Sequence, residues 1–168
     1  MLTSHELFGF MSPALANEIL NYAYESDKPT YKATMNGVAQ ALRVRPVFLE
    51  RQPRAQRHTS MVQILSKPGM DVAAGTLLRA WLLSKHKQML IDFLDTLGIK
   101  NEAGVVDDLP ETVEDAKLKL AIESLLSKHP HEAVAVYLNA FNDMNEANWS
   151  NLKALLENDS RLQLGAHA

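Results

Sequence analysis

The chain has 168 residues, 46% of them apolar and 22% charged, and a formal net charge of −3. That length supports a single domain with its own hydrophobic core, and the balance is that of an ordinary globular protein. The absence of cysteine excludes disulfides, thiolate metal sites and a cysteine nucleophile.

Taken in order, Ser4 to Met11 reads as a short helix with Leu7, Phe8 and Met11 on one side. Ser12-Pro13 is a cap followed by proline in the first helical position, and Leu15, Ile19, Leu20 and Ala23 form the stripe behind it. Asp27-Lys28-Pro29 opens a third helix running to Leu42, with Tyr31, Met35, Val38, Ala39 and Leu42 apolar. Gly37 inside it costs about 1 kcal/mol relative to alanine and marks a candidate close crossing. Arg45-Pro46 and Pro53 interrupt the pattern and leave Val47-Phe48-Leu49 on at most two turns. Arg54 to Leu65 follows as a helix whose first half is polar.

The stretch from Asp71 to Ile99 is the most apolar, and the rest of the chain is expected to pack around it. Asp71 is a helix-starting residue, and Gly98 suits the left-handed position past a last turn. Ala74, Leu77, Leu78, Trp81 and Leu82 share one face, whereas Met89, Leu90, Phe93, Leu94 and Leu97 point roughly a third of a turn away. Two helices with a joint at 84–87 satisfy both faces, and Lys85 and Lys87 suit a helix end there. After a long connection over 100–111, Thr112 is the expected cap of a helix bearing Leu118, Ala121, Ile122, Leu125 and Leu126. His129-Pro130 stops it and starts another with Ala133, Val134, Tyr137, Leu138 and Phe141. A last amphipathic helix carries Trp149, Leu152, Leu155 and Leu156, before a tail over 161–168 in which Leu162 and Leu164 are placed to dock.

Strict alternation is absent and β-branched residues are sparse, so the expectation is all-α. The architecture expected is a compact bundle of seven to nine helices built from antiparallel hairpins around a central pair at about 71–97. It forms one domain over 1–168, with a subdivision near 67–70 as the alternative. No run approaches the ~20 apolar residues of a membrane span, and the N-terminus has no basic leader. A cytoplasmic chain without membrane contact is the expectation.

Charge is distributed unevenly. Five of the seven arginines, Arg43, Arg45, Arg51, Arg54 and Arg57, fall in one short stretch where Glu50 is the one acid, whereas Asp95 to Glu123 holds eight acids against three lysines. The segment from Gly37 to Arg51 resembles the helix-turn-helix pattern of bacterial regulators. Val38 and Ala39 match its first helix, Leu42 and Val44 flank the turn, and Leu49 matches the buried position of its second helix. Arg43 stands at the turn position usually taken by glycine, and Pro53 ends the second helix early. The resemblance implies DNA contact through these arginines; net acidity weighs against it.

His129-Pro130-His131-Glu132 lacks the i, i+4 spacing of helical zinc sites, and no metal is expected. The chain has no nucleophile elbow and no phosphate-binding glycine loop, so neither catalytic residues nor a cofactor are expected. The expected function is that of a non-enzymatic interaction or scaffold protein, its partner another protein or a second copy of the chain. The alternative is a helix-turn-helix regulator with a helical C-terminal part. A third reading is a small-ligand binder or enzyme whose polar groups converge only in the fold. In the first two, Arg43, Arg45, Arg51, Arg54 and Arg57 are the candidate contacts.

Overall fold

The computed structural model describes residues 1–165; the end of the expected tail, 166–168, lies outside the described residues. The fold is all-α. Among the described residues there are ten α-helices and no strand, with one isolated bridge between Glu102 and Val105. The count exceeds the expected range because Pro46–Glu50, held between Arg45 and Pro53, stands as a helix by itself. By internal contacts the chain divides into two units, Leu2–Trp81 and the described residues from Leu82 on with Met1.

The first unit contains α1 (Ser4–Phe10), α2 (Pro13–Ser26), α3 (Lys28–Leu42), α4 (Pro46–Glu50), α5 (Arg54–Leu65) and the N-terminal part of α6 (Asp71–Lys85). Local signals set several boundaries as expected. Ser12 accepts a hydrogen bond from the Leu15 N–H, Asp27 accepts from the Thr30 N–H, and a proline follows each in the first turn. The packing hub is α5, which touches α1, α2 and α3. Its inward stripe is Arg57, His58, Met61 and Leu65, polar at one end and apolar at the other. The Asp71 carboxylate at the start of α6 reaches α1, accepting from the His5 backbone N–H at 2.9 Å. A Cβ on Gly37 would lie 3.5 Å from Ala73, an ordinary contact, so the crossing of α3 and α6 does not require glycine. The tighter approach is at Gly75, where a Cβ would lie 3.2 Å from the Ser4 hydroxyl.

The expected joint in the central stretch is present: α6 ends at Lys85, His86 departs from helical geometry, and α7 (Lys87–Thr96) follows. Trp81 and Leu78 are buried in the first unit, Phe93 and Leu94 in the second. In the second unit α7 packs on α8 (Asp115–Lys128), and α9 (His131–Asn145) touches α8, α10 (Ser150–Asn158) and the 3-10 turn Ser160–Leu162. Phe93, Tyr137 and Phe141 meet edge to face at centroid distances of 5.4–5.9 Å, and Trp149 lies 4.8 Å from Phe141. Thr112 is not the cap of α8. That helix begins at Asp115, and the backbone before it is held by the Asn151 amide, which donates to the Val113 carbonyl. Trp149 pins the same connection by donating to the Pro110 carbonyl at 3.0 Å. Of the tail, Leu162 is buried and Leu164 half-buried.

Candidate functional site

The α3–α4 corner is built by a helix end that closes on an arginine. Arg43 adopts the left-handed conformation, φ +57° and ψ +40°, and its N–H returns to the Ala39 and Gln40 carbonyls. Val44 then bonds back to Ala39 at 3.0 Å, a closure that more often uses glycine. Arg45 is extended, the conformation favoured before proline, and α4 follows for five residues. Val38, Ala39 and Leu49 turn inward. Leu42, Val44, Val47 and Phe48 remain exposed, Phe48 by 57%. Four exposed apolar side chains in seven residues make a patch that water does not favour.

The five arginines do not act as one group. Arg43, Arg45, Arg51 and Arg54 are exposed, and no ion pair among the described residues engages the first three. Arg54 lies 3.7 Å from Glu25 and stacks over Tyr24 at 4.8 Å. Arg57 is turned inward, 9% exposed, with its guanidinium 5.7 Å from the centroids of both Tyr24 and Tyr31. It donates to the Glu50 carbonyl at 3.3 Å, tying α5 to the end of α4. Beneath it, Tyr31 and His58 share a hydrogen bond of 2.9 Å. Burial pushes the His58 imidazole down to about 4, helped by the charges of Arg57 and Arg54, so the ring is neutral at pH 7. Burial likewise raises the Tyr31 phenol against the pull of Arg57. Three buried polar atoms here have no hydrogen-bond partner: Gln52 Oε1, Arg57 Nε and His58 Nδ1.

This aromatic and cationic cluster was not apparent from motif spacing. Its signal is the i, i+3, i+4 placement of Arg54, Arg57 and His58, which puts all three on one face of α5. Elsewhere the acids of the connection before α8 are exposed, among them Glu102, Asp107, Asp108, Glu111 and Glu114. His129 faces Asp92 at 3.3 Å, and His131 bonds the Leu126 carbonyl at 3.1 Å. No group of three or more potential ligands among the described residues is placed to hold a metal. No described helix is long and apolar enough to cross a membrane. No family model, no curated protein and no solved structure matches the chain.

Proposed function

We propose that the chain is a non-enzymatic interaction protein whose α3–α4 corner binds a second copy of the chain. The observation that carries this reading is the exposure of Phe48 beside Val44 and Val47, interleaved with Arg43, Arg45 and Arg51. Such a surface fits a partner with an apolar centre and an acidic margin. The exposed segment around Val105, Asp107, Asp108 and Glu111 has that character. In a two-fold pair the basic and acidic segments meet twice, which uses both charge clusters of the sequence.

The second reading, DNA binding by a helix-turn-helix, is favoured by the left-handed Arg43 at the turn and by the burial of Val38, Ala39 and Leu49. Against it, α4 has only five residues, about 1.4 turns, and offers little length to lay along a major groove. Sedimentation at low and high salt, beside a gel shift with random-sequence duplex DNA, separates the two. Self-association predicts a dimer at low salt that dissociates as salt rises, with no shift, and a monomer for Phe48→Ser. A monomer at every salt concentration contradicts it, and a shift lost in Arg45→Ala and Arg51→Ala transfers the corner to DNA.

A further inference from the structure

Arg43 closes α3 in the left-handed region, where a Cβ crowds the following carbonyl and lowers the population of that conformation about tenfold. Glycine meets no such penalty, which is why helices that end this way usually end on it. Arg45 is extended and Arg51 helical, so the backbone sets no comparable penalty at either position. Nothing within the chain offsets the strain at Arg43. Its side chain is exposed, and no hydrogen bond or ion pair among the described residues engages it.

Ala103 and Glu146 also have positive φ. Ala103 lies in the tight turn bridged by Glu102 and Val105 and offers only a methyl group. Glu146 closes α9, with no large exposed apolar side chain next to it in sequence. Arg43 differs from both, because it stands between Leu42 and Val44, 40% and 38% exposed, with Val47 and Phe48 following on α4. Strained backbone of this kind persists where a side chain is needed for contact with a ligand or partner. We propose that Arg43 is the specificity-determining residue of the α3–α4 corner, pairing through its guanidinium with a carboxylate of the 107–111 segment of the second copy. Leu42 and Val44 flank that pair and exclude water from it, which strengthens it over an ion pair in open solvent. This inference rests on the self-association reading and adds which of the corner's arginines selects the partner. In a two-fold pair the contact forms twice, so a tenfold loss at each becomes about a hundredfold loss in the dimer Kd.

The test compares Arg43→Gly, Arg43→Asn and Arg43→Lys with the unaltered chain. Dimer Kd is measured by sedimentation equilibrium at low salt, and stability by urea unfolding at high salt, where the pair is dissociated. Arg43→Gly should raise the folding equilibrium constant about threefold, the relief of strain less the added freedom of the unfolded chain, and weaken the dimer about a hundredfold. Arg43→Asn, which enters the left-handed region readily, should weaken the dimer as much, whereas Arg43→Lys should stay within about tenfold of the parent. A glycine variant that dimerises as tightly as the parent, or unfolds more readily, overturns the proposal, as does a lysine variant as weak as the asparagine one. A parent that is monomeric at low salt defeats self-association and this inference with it; a parent dimer indifferent to Arg43 defeats this inference alone.

Discussion

His58 and Arg57 are neighbours on α5 and share one cluster with Tyr24 and Tyr31. The imidazole, buried beside two guanidinium groups, is neutral at pH 7; the Arg57 guanidinium lies over two tyrosine rings. A histidine held near 4 in the folded state and at its ordinary 6.5 in the unfolded state makes stability depend on pH. As pH falls the unfolded chain takes up this proton first. The contribution is whole above about pH 6.5, declines down to about 4, and is constant below. Between pH 7 and 4.5 it amounts to about 2–3 kcal/mol. Urea unfolding at those two values should show the loss, and His58→Phe should remove most of it. A variant whose pH profile overlays that of the parent would show that His58 is solvated or charged.

At the scale of elements, starts and stops were readable wherever the signal is local. Ser12-Pro13, Asp27, Gly98 and His129-Pro130 each satisfy or remove a backbone group within a few residues, and each marks a boundary where expected. The role of α5 was not readable, because its inward stripe begins with Arg57 and His58, residues that hydropathy assigns to water. The start of α8 was misplaced at Thr112 because the connection before it is fixed from far along the chain, by Trp149 and Asn151. The same holds within the candidate site: the clustering of arginines was plain, but the inward turn of Arg57 depends on Tyr24 and Tyr31 from other helices. The connection contains one position that only glycine fits. Gly104 has φ +85°, and a Cβ there would meet Leu90 Cβ of α7 at 2.8 Å. Gly104→Ala should cost about 2–4 kcal/mol in chemical denaturation, from backbone strain and overpacking together. A loss within experimental error would mean that the connection moves away from α7 at little cost.

For the molecule as a whole, net charge hides two opposed and exposed clusters, and the proposed self-association would use both. Arg43, Arg45 and Arg51 extend into solvent around an apolar centre, and so do the carboxylates of the connection before α8. In the proposed self-association, long-range attraction between such segments would set which surfaces meet, while Phe48 and its apolar neighbours would supply the contact that holds. The pairing is tested most directly by a charge exchange in two variants, one with Arg45→Glu and Arg51→Glu, the other with Asp107→Lys and Asp108→Lys. Each variant alone sets like charges against each other and should sediment as a monomer at the low salt where the proposal expects the parent to be a dimer. Mixed in equal amounts, they should recover the dimer mass, because each corner then faces a segment of opposite sign. A mixture that stays monomeric, or single variants that dimerise like the parent, would contradict pairing through these surfaces.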